Sequence, residues 1–255
     1  MTCQDFNKAN AHCRDSEIEF EADSHTYRFH GRELKSVTTL IEEQFPKFDA
    51  DFWSERVAAR EGLTAIEVKA RWEAEGAKSR RLGTAMHERI EHYYINGGDD
   101  GEDTDVFGLF RAFSACVRLH PYRTEWRIYD EDFDIAGTLD FLELTPDGVF
   151  NIWDWKRSSK LVTPEGGLIL RNKMGKTGFH PVCHLPDTPY YHYALQLSIY
   201  RFILERKYGI KVTGLNLGVF HPAHHCPWSI AMPYLETEAR WILSSHKNVG
   251  IPRTR

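Results

Sequence analysis

No stretch of this 255-residue chain approaches the roughly 20 consecutive apolar residues that a membrane-spanning helix requires. Residues 1–15 hold neither an apolar signal core nor an Arg-rich amphipathic pattern, so the expectation is a globular intracellular protein with no membrane partner. Cysteine is scarce: Cys3, Cys13, Cys116, Cys183 and Cys226 are odd in number and form no C-x-x-C pair, which argues against a disulfide framework. Internal repeats and low-complexity tracts are missing as well, and no stretch reads as a linker. An excess of positive charge is also lacking. With 32 basic and 37 acidic residues the net charge is -5, which excludes a protein that coats nucleic acid over its whole surface by counterion release. A local basic zone remains open. Arg157, Lys160, Arg171, Lys173 and Lys176 follow Lys156 in a stretch where Glu165 is the sole acid, and they are the expected nucleic-acid contacts.

The apolar content of 42% is enough for a substantial core. Alternation over 18–21 and 26–29 around Asp23-Ser24 predicts a β-hairpin. Helical signals follow over 36–44, 51–60, 64–75, 79–95 and 104–119, with Phe52, Val57, Ile66, Val68 and Trp72 as inward faces. The period then changes, and 125–129, 134–144 and 148–155 read as three strands of an antiparallel meander, the last two joined by a Pro-Asp-Gly turn. Segment 158–189 shows no periodicity and is too long for a mere connector, which marks it as functional or mobile. A helix over 190–208 closed by Gly209, a strand over 211–220 and a helix over 236–245 complete the reading. The outcome is an α/β protein in which residues 1–78, a hairpin with helices, elaborate a core formed by residues 79–255.

Chemistry concentrates in the meander. Asp154-Trp155-Lys156 ends an apolar strand, and residues two apart on a strand project to one face. Asp140 lies in the strand before, in Gly137-Thr-Leu-Asp140, where hairpin pairing brings it near Asp154. Two carboxylates and an ammonium at one corner suit phosphodiester cleavage. Hard oxygen ligands hold Mg²⁺, and a lysine beside the ion orients or deprotonates the attacking water and offsets phosphate charge. D-x-K alone recurs by chance, so its surroundings decide its meaning.

Those surroundings are Gly83-Thr-Ala-Met-His87, Glu125-Trp-Arg-Ile128, Gly137-Thr-Leu-Asp140, Asp154-Trp-Lys156 and Gln196-Leu-Ser-Ile-Tyr200, in that order. Together they resemble the RecB-like branch of the PD-(D/E)XK nucleases, over residues 80–220. The resemblance implies a restriction-endonuclease-like core with a central mixed β-sheet flanked by helices. It implies His87, Asp140, Asp154 and the Trp155 carbonyl as metal ligands and Lys156 as the catalytic lysine, with Gln196 and Tyr200 lining the site. Three readings stand for Glu125: support of a ligand, contact with a second ion, or a strand-surface charge. The expected cofactor is Mg²⁺, with Mn²⁺ accepted because imidazole is not magnesium's favoured partner. Exonucleases of phages, large DNA viruses and mitochondrial genome maintenance belong to this branch, so the implied partner is DNA that is single-stranded or has a free end, cut to leave 5′-phosphates. Two rival readings are a non-cleaving subunit of a recombination or replication assembly, and an RNA-directed nuclease.

Weaker signals point elsewhere. Gly175-Lys176-Thr177 ends like a phosphate-binding loop, but Leu170 occupies the position of the required first glycine. His180, Cys183, His184, His221, His224, His225 and Cys226 offer ligands for structural zinc in a non-standard spacing. Iron-sulfur relatives carry three cysteines near the C-terminus, whereas only Cys183 and Cys226 follow the D-x-K motif, so no cluster is expected. Phe45, Phe48, Phe52 and Trp53 are candidates for an arch over the substrate.

Overall fold

The computed structural model describes residues 5–98 and 106–249; Cys3 and the expected helix start at Thr104 lie outside them. In chain order the elements are α1 (Phe6–Ala9), a 3-10 turn (Cys13–Glu17), β1 (Ile18–Glu21), β2 (Thr26–Phe29), β3 (Arg32–Ser36), α2 (Val37–Glu42), α3 (Ala50–Glu61) and α4 (Ala65–Asn96). There follow α5 (Phe107–Cys116), β4 (Pro121–Asp130), β5 (Ile135–Leu144), β6 (Phe150–Lys156), α6 (Pro189–Ile203) with a π turn (Leu204–Tyr208), β7 (Val212–Val219), β8 (Trp228–Ala231) and α7 (Glu236–Val249).

The expected hairpin and meander are present, with β1 antiparallel to β2 and β4, β5 and β6 antiparallel in succession. Among the described residues the sheet has eight strands in the order β1-β2-β3-β5-β6-β7-β8, with β4 beside β5. It is mixed, because β3 runs parallel to β5 and β6 parallel to β7. Helices cover both faces. On one, α2, α6 and α7 bury Leu40, Leu195, Ile199 and Ile242 against Leu139, Ile152 and Leu217. On the other, Met86 and Ile90 of α4 and Phe107, Phe110 and Phe113 of α5 pack on Phe141, Trp153, Trp155 and Phe220. This is the mixed sheet flanked by helices of a restriction-endonuclease-like core.

Strand β5 is shared among three partners, and this positions the site. Strand β4 lies along one edge, from Asp130↔Ile135 to Pro121↔Glu143. The other edge is divided: β3 pairs at Ile135 and Ala136, while β6 pairs from Phe141 to Leu144. Residues 137–140 fall between them and have no strand partner there, so their edge faces a gap. That gap holds the Gly-Thr-Leu-Asp segment.

Several elements depart from expectation. The two helices expected over 64–75 and 79–95 are one helix, α4, and residue 78 falls inside it. Thr64 and Glu67 form a reciprocal cap at its start, Gly97 ends it in the left-handed conformation, and its two interior glycines, Gly76 and Gly83, cost only about 1 kcal/mol each, too little to break it. Ile66 and Phe52 are exposed, at 80% and 49%, because α3 and α4 approach closely through Ser54, Ala58 and Val68 instead. Segment 158–189 has no helix or named strand before Pro189 opens α6, but Leu161, Val162, Val182 and Leu185 bury it against the core. Strands β3 and β8, absent from the sequence reading, extend the sheet, β3 beside β5 and β8 beside β7. Among the described residues no helix is long and apolar enough to cross a membrane.

Candidate metal centre

Met86 and Ile90 anchor α4 on the sheet, and His87 between them is thereby directed at the gap in β5. Its Nε2 lies 2.9 Å from the Trp155 carbonyl oxygen. That contact leaves Nδ1 facing two carboxylates, 3.7 Å from Glu125 Oε1 and 3.6 Å from Asp140 Oδ2. Asp140 is fixed in turn, because its Oδ2 accepts a hydrogen bond from the Trp155 amide at 2.8 Å where β6 has parted from β5. The main chain of Trp155 therefore orients both side chains.

His87, Glu125 and Asp140 each present a ligand atom within 4.8 Å of the others. Glu125 reaches this position with a backbone φ of +45°, a conformation that costs a non-glycine residue about 1–2 kcal/mol. Such strain in a strand re-aims a side chain and clusters at functional sites. Among the readings the sequence left open for Glu125, the geometry groups it with the two ligand candidates.

Asp154, expected among the ligands, lies outside that group. Its carboxylate is 2% exposed and 2.6 Å from the Lys156 ammonium, yet neither oxygen receives an aligned hydrogen bond. It stays close enough to Asp140 and His87 to feel both charges. Lys156 also sits over the Tyr193 ring, 4.5 Å from its centroid. Gln196 and Tyr200 face the gap from α6 and bond to each other, with Gln196 Nε2 donating to the Tyr200 hydroxyl at 3.1 Å, rather than reaching Lys156. The Trp155 carbonyl, expected as a ligand, is engaged by His87.

The electrostatics are those of buried charges short of counter-charge. Burial raises the Asp140 carboxyl above its ordinary value against the pull of His87 and Lys156. Burial and the Asp140 charge lift Asp154 to about 6 although Lys156 opposes them. Burial would depress His87, but the Asp140 charge and the Glu125 contact outweigh it and bring it to about 9. Lys156 is likewise pushed down by burial and, more strongly, up by Asp154 and Asp140, so it stays above its usual value and protonated. A protonated imidazole thus occupies the place where a divalent cation would neutralise the same carboxylates. The donor set of two carboxylates and one imidazole nitrogen fits such an ion, Mn²⁺ at least as well as Mg²⁺.

His87, Glu125, Asp140, Gln196 and Tyr200 line a cleft of about 560 Å³, whereas Asp154 and Lys156 lie behind its lining. Its floor is the gap in β5, α4 forms one wall, and the β1–β2 hairpin forms the opposite wall through Phe20, His25 and Tyr27. The sequence reading missed this second wall and missed Arg127 and Thr138 beside it; the available signal was the alternation that puts Arg127 on the face of Glu125. Arg157, Lys160, Arg171, Lys173 and Lys176 do not line the cleft. Asn172 instead folds the loop around Lys176, accepting from the Met174 and Lys176 amides and donating to the carbonyls of Lys176 and Asp187. His184 is bonded to Glu238 and His224 to the Ser158 carbonyl, and the histidine-rich loops form no ligand group among the described residues. Of the aromatic residues considered for an arch, Phe45 is buried against His192, while Phe48 and Phe52 are exposed.

Along the cleft, glycine is required at one point. A Cβ on Gly137 would stand 2.6 Å from Tyr200 Cε1 and 2.8 Å from its hydroxyl, so the first residue of the Gly-Thr-Leu-Asp segment makes room for the ring from α6.

No protein-family model matches the sequence, and no curated protein matches it. Among solved structures, the protein named SSO0001 is similar at 15% identity with a TM-score of 0.36, over 85% of this chain and 76% of its own. A candidate exonuclease of Eubacterium rectale is similar at 13% identity with a TM-score of 0.35, over 86% of this chain and 82% of its own. Likeness at this level carries no functional argument.

Proposed function

We propose that this protein is a divalent-metal-dependent nuclease of the PD-(D/E)XK superfamily, in its RecB-like branch, and that it hydrolyses DNA as an exonuclease acting on free ends or single-stranded flaps. The observation that supports this reading best is the convergence of His87, Glu125 and Asp140 within 4.8 Å, beside a buried Asp154-Lys156 pair joined to them through Trp155. A structural ion pair alone has no need of an imidazole aimed at two further carboxylates.

A divalent ion held by His87 Nδ1, Glu125 and Asp140 supplies charge stabilisation at the scissile phosphate and a more acidic nucleophilic water. Water attacks phosphorus, the bond to the 3′ oxygen breaks, that oxygen takes a proton, and a 5′-phosphate remains on the product. Lys156 stays protonated beside Asp154, so its part is to donate to the phosphate oxygens as their charge develops and not to remove the proton from water. Asp154 keeps the ammonium in place. Trp155 holds His87 and Asp140 in register, and Gln196 and Tyr200 offer polar groups to the strand from α6.

The test is digestion of DNA and RNA oligonucleotides of one sequence, labelled at either end, in Mg²⁺, Mn²⁺ and EDTA. The reading predicts metal-dependent shortening of single-stranded DNA from an end, with 5′-phosphate products. Tight binding with no cutting in either metal would instead favour a non-cleaving subunit, and preferential loss of the RNA would redirect the substrate.

A further inference from the structure

Arg127 is the one lysine or arginine among the described residues lining the cleft, which also holds Glu88, Glu91, Glu125 and Asp140. None of those carboxylates forms an ion pair with it. Its guanidinium lies over the face of the Phe20 ring, 5.3 Å from the centroid. An exposed guanidinium near four carboxylates would ordinarily pair with one of them. Here the hairpin wall holds it apart: Phe20 packs on Tyr27 at 4.7 Å and on His25 at 5.2 Å, and the Tyr27 hydroxyl is bonded to Thr138 Oγ1 at 2.9 Å. The planar fork of an arginine, stacked here over the Phe20 ring, is suited to a bidentate phosphate contact along its N–H edge.

Register gives its distance from the metal group. Arg127 is the direct partner of Thr138 across the β4–β5 pair, and Glu125 and Asp140 occupy the next position along that face. Two residues of strand span roughly 7 Å, which is about one nucleotide step along an extended single strand. A phosphate at the metal group would therefore place its neighbour at Arg127.

We propose that Arg127, steadied by Phe20 of the hairpin wall, is the binding residue for the phosphate adjacent to the one cut, on the hairpin side of the cleft. This rests on the nuclease reading and assigns a second subsite to the same cleft. The arginine adds one charge-assisted contact to the substrate strand and sets which linkage lies over His87, Glu125 and Asp140.

The test uses single-stranded oligonucleotides bound in Ca²⁺, each carrying one neutral methylphosphonate at a successive linkage, with anisotropy as the readout. For wild type, neutralising the linkage next to the cut site is expected to weaken binding about tenfold, as expected for one lost charge-assisted contact. Arg127→Ala should bind the unmodified strand about as weakly and show no further loss at that linkage, while responding like wild type at the others. Its slope of log affinity against log salt should fall by about 0.7, the value for one phosphate contact on a single strand. Because Arg127 is exposed, an unchanged melting temperature is expected and separates this from misfolding. An Arg127→Ala variant with the wild-type methylphosphonate profile and salt slope would overturn the subsite while leaving the nuclease reading intact. Failure of the wild type to bind or cut any nucleic acid would remove both.

Discussion

The His87 imidazole is held 2.9 Å from the Trp155 carbonyl, so that its other nitrogen faces Asp140 and Glu125. A helix-borne side chain is thus locked to the strand that carries the Asp-Trp-Lys motif. In the absence of a cation the proton on that imidazole offsets the carboxylate charge, and a measurable linkage follows.

The folded His87 value, about 9, exceeds the ordinary 6.5, so protonation of His87 stabilises the fold. That stabilisation is fully present below pH 6.5 and is lost as pH rises through 9. The shift corresponds to on the order of 3 kcal/mol. Thermal melts in EDTA should show stability falling across this window, and Ca²⁺ should restore more of it at pH 9 than at pH 6.5. His87→Gln should be flat over the same range. Rising stability in EDTA between these pH values would contradict the assignment.

Glu125 separates backbone strain from ligand chemistry. Both Glu125→Ala and Glu125→Gly delete the carboxylate and should weaken Mn²⁺ binding by calorimetry. In an ordinary strand the glycine variant would be the less stable one by roughly 0.5–1 kcal/mol. Here φ is +45°, so the glycine variant should be the more stable by about 1 kcal/mol. Denaturant melts check the order; the ordinary order would mean that the residue is not strained.

Gly137→Ala places a methyl against the buried Tyr200 ring, which cannot retreat because α6 is packed behind it. Overpacking of this kind costs about 1–3 kcal/mol. Displacement of Tyr200 should also lower the cleavage rate while Ca²⁺-dependent DNA binding changes less. Wild-type stability and rate together would show that the close approach does not matter.

Much of this site was legible in the sequence because its chemistry is local. Asp154 and Lys156 lie two apart on one strand, Gln196 and Tyr200 four apart on one helix, and a Pro-Asp-Gly turn brings Asp140 back toward them. The hairpin was legible for the same reason. What escaped depends on contacts between distant segments. Strand β3 pairs with β5 through only Lys35 and Ser36, yet it creates the gap in which the cleft opens. The continuity of α4 was hidden by Gly76 and Ser79, whose local cost is outweighed by its caps and by its packing on α3 and the sheet. The left-handed turn of Glu125 left no mark in its neighbours, so its place beside His87 and Asp140 could be seen only once the strands were assembled.

The most direct measurement is single-turnover cleavage of end-labelled single-stranded DNA in Mg²⁺ by wild type and by Lys156→Ala, alongside a melt of each protein. Loss of a buried phosphate-stabilising ammonium predicts a rate lower by at least about a hundredfold. A folded Lys156→Ala variant that cuts as fast as wild type would contradict the central claim.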